Sequence, residues 1–261
     1  MRILLTGAAG FLGRGIRESL APLHDVICLD PVDTEPVRER EEIVLASVTD
    51  REAIARVMAG VDTLVITHML SRTTERGAYQ ESPSAAIDVN VKGTLLLMQE
   101  AVKNSVRRVI LISSESVVRP FVAQGGVVPH DAEPTPAADL YILTKVFQEK
   151  VVEGFHNEYG IEVVVLRIGG VCRVDPATRR VYPKYEGAEW TRNEPGMVER
   201  GDVGLAVGAS VQLEHVTYER MFVMGSSLAR QHFDVQYTEK KLGWRPRFDF
   251  SWMDGRGPTR L

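Results

Sequence analysis

Arg2-Ile3-Leu4-Leu5-Thr6-Gly7-Ala8-Ala9-Gly10-Phe11-Leu12-Gly13 stands at the start of the chain and decides its fold. A short apolar run meets a turn with glycines at 7, 10 and 13, and an amphipathic stretch over 12–20 follows, so the pattern predicts strand, turn and helix. Glycine lets the chain turn sharply at Gly7, lets a pyrophosphate approach the backbone at Gly10, and lets helix pack on strand at Gly13. The new helix aims unpaired N–H groups and the positive end of its dipole at the same spot. A glycine trio alone also fits a tight turn without a ligand. Its surroundings decide.

Outward from this turn, the second strand, 25–29, is followed by Asp30, 17 residues after Gly13 and near the ~20 at which an acid accepts hydrogen bonds from an adenosine ribose. The competing reading is a solvated acid opening a loop. A carboxylate there repels a 2′-phosphate, and Pro31 supplies no cation to hold one, so the cofactor expected is NAD rather than NADP. Further short apolar runs at 42–45, 63–66, 108–112 and 162–167 alternate with helical patterns at 51–59, 84–104 and 141–159. That alternation predicts an α/β fold: a doubly wound parallel Rossmann sheet covered on both faces, with a small C-terminal substrate lobe. The stretch 172–196 carries three prolines and many charges and reads as an irregular segment over a cleft. A helix at 203–213 and a strand at 220–224 return to the sheet. The expected division is a dinucleotide-binding domain over 1–171, rejoined by 201–225, and a lobe from 172–200 and 226–261, with Trp244 as its anchor and a frayed tail at 255–261.

The composition, 261 residues with 44% hydrophobic and 25% charged, excludes disorder and fibre. Thirty-one Lys plus Arg against 35 Asp plus Glu, with no run of five like charges, argue against nucleic-acid or anionic-membrane surfaces. The expected partner is a small molecule. Cys28 and Cys172 sit in apolar runs and read as buried thiols in a reducing, cytoplasmic setting. No apolar stretch approaches the ~20 residues of a membrane span. The histidines at 130, 156, 215 and 232 show no metal spacing, and no metal is expected.

Tyr141-Ile142-Leu143-Thr144-Lys145 puts a phenol and an ammonium four residues apart, on one face at the start of a helix. A free phenol, pKa ~10, is too weakly acidic to act as a base at neutral pH unless a neighbouring cation favours its anion. Lys145 is placed for that. Ser113-Ser114 closes the fifth strand at the carboxyl edge where such sheets bind ligands, so a serine hydroxyl there can hold a substrate oxygen while Tyr141 moves the proton. Alone, a Tyr and a Lys so spaced are common on surface helices. After a glycine turn, an acid and a Ser-Ser strand end, they are informative.

These residues resemble the extended short-chain dehydrogenase/reductase family, also called the NAD-dependent epimerase/dehydratase family. Thr6 to Gly13 is similar to its TGxxGFLG turn, and Asn90-Val91-Lys92-Gly93-Thr94 to its NVxGT helix segment. Ser113-Ser114 with Val117, the pair Tyr141 and Lys145, the Asp202-Val203 helix start and Leu242-Gly243-Trp244-Arg245-Pro246 resemble further family motifs, so the likeness spans nearly the whole chain. It implies Ser114, Tyr141 and Lys145 as catalytic residues. It implies a cofactor site from Gly7, Ala9, Gly10, Phe11, Leu12, Gly13, Asp30, Ser47, Val48, Thr67, Asn90, Ile112 and Ile168 together with Tyr141 and Lys145. For the substrate it implies His68, Ser114, Glu115, Gly169 and Arg179, and it implies a homodimer through the helices at 84–104 and 141–159, where Leu95, Leu96, Leu97, Met98 and Phe147 exceed the needs of one sheet face.

Departures from the family pattern carry information. Ser47-Val48 replaces the usual acid and apolar residue beside the adenine, and Val117-Val118-Arg119 replaces a Val-Tyr-Gly. Dehydratases carry an acid and a base after the catalytic hydroxyl; Glu115 followed by Ser116 lacks the second, which argues against dehydration. Glu115 reads equally as a substrate contact or a solvated acid, and His68 as a contact or a structural residue. About 90 residues follow the sixth strand, a small lobe that suits a substrate smaller than a nucleotide sugar. In outline the chain is nearest to the uronate dehydrogenases, where an arginine at the spacing of Arg179 grips the substrate carboxylate; a solvated loop charge is the other reading. The function expected is an NAD-dependent dehydrogenase of a small carbohydrate such as a sugar acid. The alternative is a nucleotide-sugar epimerase with tightly held NAD, and a third reading, a dinucleotide sensor, leaves Tyr141 and Lys145 without a purpose.

Overall fold

The computed structural model describes residues 1–70, 83–183, 196–254 and 257–261. Its strands in chain order are β1 (Arg2–Thr6), β2 (Asp25–Asp30), β3 (Glu41–Leu45), β4 (Thr63–Ile66), β5 (Arg108–Ser114), β6 (Glu162–Ile168), β7 (Gly170–Val174), β8 (Val181–Pro183), β9 (Met197–Glu199), β10 (Tyr218–Val223), β11 (Phe248–Asp254) and β12 (Gly257–Arg260). The main helices are α1 (Phe11–Leu20), α2 (Arg51–Val57), α3 (Gly93–Lys103), α4 (Leu140–Tyr159), α5 (Arg200–Gln212) and α6 (Val235–Leu242). Seven strands pair in parallel in the order β10-β6-β5-β4-β1-β2-β3. From β3 the chain crosses back over β1 to β4, so the strand order reverses between β1 and β4. The crevice at the carboxyl ends of those two strands is where such sheets take ligands.

Alternate residues of each strand enter opposite cores, as side chains must on a pleated sheet. Ile3, Leu5, Val65, Ile110, Ile112 and Leu166 pack with Ile16 and Leu20 of α1 and Val203 and Val207 of α5. Leu4, Leu64, Ile66, Val109, Leu111 and Val165 pack with Ile54 of α2, Leu97 and Ala101 of α3 and Val152 of α4. Helix starts are set by acids that accept backbone N–H groups: Asp50 for α2, Asp139 for α4, Glu199 for α5 and Asp234 for α6. Gly160, left-handed at φ 69, ends α4. Among the described residues no helix is long and apolar enough to cross a membrane.

Three expectations need correction. The helical pattern over 84–104 is not one regular helix: Pro83–Ala86 leads into a π-helical stretch, Ile87–Lys92, before α3. The segment expected to be irregular is partly sheet, because β7 pairs antiparallel with β8 and parallel with β9. Cys172 and Val174 point into a core with Met197, Phe248 and Phe250, while Arg173 lies 4.2 Å over the ring of Tyr182. Strands of three to five residues interrupted by prolines are too short to show their alternation in the sequence. Residues 184–195 of this segment, Trp190 among them, lie outside the described residues. The tail expected to fray contributes β12, which pairs antiparallel with β11.

Candidate active site

The glycine turn closes on the crevice between β1 and β4. Gly7 takes φ +70, and a Cβ there would stand 2.8 Å from the backbone of His68 on the neighbouring strand end. At Gly13 a Cβ would stand 2.2 Å from the carbonyl oxygen of Gly7, so only glycine lets α1 sit this close to the turn. Gly10 caps α1, and Phe11 and Leu12 form its first turn. Asp30, at the end of β2, accepts the N–H of Ala9 at 3.1 Å and that of Val32 at 2.9 Å. Each carboxylate oxygen thereby spends one lone pair and keeps another. Two acceptor positions beside a helix N-terminus match the two hydroxyls and the phosphates of an NAD adenosine half. Thr67 adds a buried hydroxyl with no hydrogen-bond partner among the described residues. The donors and acceptors present therefore fit a dinucleotide.

Ser47 bonds Thr49 through its hydroxyl at 2.8 Å, and Val48 packs so tightly on Gly93 that a Cβ there would come within 2.6 Å of it. This places the Ser47-Val48 pair against the start of α3. Asn90, within the π-helical stretch, accepts the N–H of Leu70 at 2.8 Å and donates to its carbonyl at 3.1 Å, and also donates to the hydroxyl of Thr144 at 3.3 Å. One side chain thus joins the strand-four loop to α4.

Tyr141 and Lys145 lie one turn apart on α4. The Lys145 ammonium is buried and donates to the carbonyl of Ile112 at 2.7 Å, two residues before Ser114 on β5. The bond sets the register between α4 and the strand that ends in Ser114. Ser114 accepts the N–H of Ser116 at 3.2 Å, and the two hydroxyls are 2.6 Å apart. Glu115 begins the 3₁₀ turn that follows. Ile168 closes β6, and Gly169 crosses Gly196 so closely that a Cβ would stand 1.4 Å from its carbonyl oxygen. Arg179 lies in the turn of the β7–β8 hairpin with φ 61, its N–H donating to the carbonyl of Asp175 at 2.8 Å.

His68 is enclosed beneath the turn. Thr94 spends its proton on the carbonyl of Asn90 at 2.6 Å and accepts from Gln148 at 2.9 Å. The imidazole Nε2, 3.4 Å from the same oxygen, must then carry the proton, while Nδ1 accepts from Thr6 at 2.9 Å. Burial first, and the Lys145 charge second, push its pKa down to about 3, so the ring is neutral.

Sequence reasoning missed the polar layer behind the site. Glu149, one turn beyond Lys145, accepts from Ser113 at 2.5 Å and holds Arg167 of β6 through two oxygens at 3.1 and 2.8 Å. Arg167 also donates to the carbonyl of Ala132 at 2.7 Å, which steadies the approach to α4. Both ion-pair members have fully buried side chains. The spacing of Tyr141, Lys145 and Glu149, four residues each, was the available signal.

Comparison with known proteins bears on this geometry. The uronate dehydrogenase of Pseudomonas syringae pv. tomato is 31% identical over 182 residues, 69% of this chain and 62% of that protein. The L-arabinose 1-dehydrogenase (NAD(P)(+)) of Haloferax volcanii is 27% identical over 259 residues, 94% of this chain and 96% of that protein. A tyrosine-to-alanine mutant of the uronate dehydrogenase of Agrobacterium tumefaciens, solved with NAD, has the same fold, with a TM-score of 0.73 at 21% identity over 95% of this chain and 85% of that one. Residues 3–184, which hold the glycine turn, Asp30, Ser114, Tyr141 and Lys145, match the sequence pattern of one family, and the chain belongs to the NAD-dependent epimerase/dehydratase family.

Proposed function

We propose that the chain is an NAD-dependent dehydrogenase that oxidises a small carbohydrate. The observation that carries this reading is the tie from Lys145 to the carbonyl of Ile112, which sets the Tyr141 helix against the strand ending in Ser114. Bound NAD supplies the hydride acceptor. The turn from Gly7 to Gly13 takes the pyrophosphate, Asp30 the adenosine ribose, and Thr67 and Ile168 line the path between the strand ends. Tyr141 takes the proton of the substrate hydroxyl, the Lys145 ammonium favours its phenolate, and Ser114 holds the reacting oxygen. The likeness to an arabinose and a uronate dehydrogenase supports a free sugar or sugar acid as substrate.

NADH formation followed at 340 nm across uronic acids, aldoses and polyols tests the reading. Turnover of none of them, with NAD retained through gel filtration, would favour the epimerase instead. Arg179 is assigned to a substrate carboxylate, for which a guanidinium offers two parallel donors. Arg179→Ala is then expected to raise KM for an acidic sugar by ~10-fold to 100-fold and to leave a neutral analogue nearly unchanged. Equal effects on both would return Arg179 to the solvent.

A homodimer formed through α3 and α4, in a cytoplasmic setting, completes the proposal. Leu96, Leu97 and Met98 are absorbed by the core of the chain, but Leu95 and Phe147 stay 39% and 40% exposed. A monomer in light scattering would contradict the pairing.

A further inference from the structure

Ser116 has no role in the reading above, yet it is 4% exposed and both hydrogen bonds of the Ser114 hydroxyl run to it. Among the described residues Ser114 has no other side-chain partner. A serine oxygen offers two acceptor positions and one proton. The N–H of Ser116 fills one acceptor position. The hydroxyl pair at 2.6 Å has two possible directions: Ser116 donates to Ser114, or Ser114 donates to Ser116. In the second arrangement the Ser114 proton is spent inside the protein, and the residue meets a substrate only as an acceptor. In the first, both acceptor positions are filled and the proton is the only group left for the ligand.

The chemistry selects the first arrangement. As Tyr141 takes the proton of the substrate hydroxyl, ahead of hydride loss, the substrate oxygen gains negative charge, and an anion draws the hydroxyl proton of Ser114 toward itself. Ser116 must then donate behind it, and each bond in such a chain strengthens the next. We propose that Ser116 is a positioning residue that fills the acceptor positions of Ser114 and turns its proton toward the reacting oxygen. The proposal rests on the reading of Ser114 as the group that holds that oxygen. Ser116 occupies the second place after the catalytic hydroxyl, and a hydroxyl there makes that place a relay of orientation.

A double-mutant cycle on the full chain tests this. Ser114→Ala should lower kcat by ~10²-fold, the loss typical of removing one donor to a developing oxyanion. Ser116→Ala should lower kcat by about 10-fold, with NADH affinity and melting temperature nearly unchanged, because the N–H contact remains while half of the orientation is lost. The decisive expectation is that Ser116→Ala has no further effect in the Ser114→Ala background. Losses that multiply would overturn the proposal, since a merely structural role acts whether or not Ser114 is present. Neutron diffraction of the deuterated holoenzyme gives an answer that needs no substrate. A deuteron on Ser116 directed at Ser114 supports the proposal, and one on Ser114 directed at Ser116 overturns it. A wild type that oxidises no sugar would defeat the dehydrogenase reading, while the neutron map would still decide the direction of the hydroxyl pair.

Discussion

Replacing Asp30 by alanine tests the cofactor assignment most directly, because the structure fixes how its carboxylate is used. Two lone pairs go to the N–H groups of Ala9 and Val32, and two remain. In the role proposed above, the remaining pair meets the two ribose hydroxyls of NAD. A hydrogen bond to a charged group contributes ~1.5–3 kcal/mol, so losing the better of the two alone weakens NAD by about 10-fold to 150-fold. NADP carries a phosphate on one of those hydroxyls, and against it the carboxylate is a repulsion. Its removal costs NADP less, and the preference for NAD should fall by ~1–3 kcal/mol, or about 5-fold to 150-fold. The two N–H groups left without acceptors lower stability as well. Affinity must therefore be measured on folded protein, by NADH and NADPH fluorescence titration well below the melting transition. A wild type that prefers NADPH, or an Asp30→Ala variant with unchanged selectivity, would refute the reasoning.

Tyr141→Phe should leave NADH affinity nearly unchanged and lower turnover by ~10² or more, and Lys145→Ala should impair both; a phenylalanine variant with over about a tenth of wild-type turnover removes Tyr141 from the mechanism. Glu149→Ala leaves the fully buried Arg167 without its carboxylate, an expected loss of ~3–5 kcal/mol. For a chain of this length the loss corresponds to about 5–9 °C in calorimetry, and a paired Glu149→Met, Arg167→Met variant should lose less than either single one. His68 titrates at about 3 in the fold, below the ~6.5 of a free imidazole, so the unfolded chain binds the extra proton. Its contribution to stability is complete above pH ~6.5 and declines as pH falls toward 3. His68→Gln should flatten the fall in denaturation midpoint between these limits, and equal slopes for the two proteins would remove His68 from the acid response.

The parts of this fold that the sequence shows are those whose cause is local. Residues 3–5 are apolar because helices cover both faces of β1, and the glycines beside them answer to contacts a few residues away, such as Gly13 against the carbonyl of Gly7. The spacing of Tyr141 and Lys145 is equally short-range. The hairpin at 170–183 was not legible, because its stability comes from Met197, Phe248 and Phe250, which close over Cys172 and Val174 from distant stretches of chain. Neither was the π-helical stretch, whose Asn90 is held by the backbone of Leu70, 20 residues away.

Polar residues inside the fold mark the same boundary from the other side. Arg108, Arg167 and Arg220 each stand in a strand made largely of apolar residues, and composition alone reads them as interruptions. In the structure Arg108 donates to the carbonyls of Ser210, Val211 and Leu213 and closes the end of α5. Arg167 and Arg220 hold the carbonyls of Ala132 and Asp131 and the carboxylates of Glu149 and Glu153. Burying such charges is unfavourable unless their donors are met, and all their nitrogens but Nε of Arg220, 4.0 Å from the Glu149 carboxylate, find partners 18 to 105 residues away in the chain. A side chain whose partners are that remote leaves no periodic trace. It does leave a chemical one: a charge in an all-apolar strand must be answered from another element, and here the answer to Arg167 comes from the helix that carries Tyr141 and Lys145. The polar layer and the pair Tyr141 and Lys145 are therefore one assembly, with Glu149 fixing the helix from behind and Lys145 fixing it from the front.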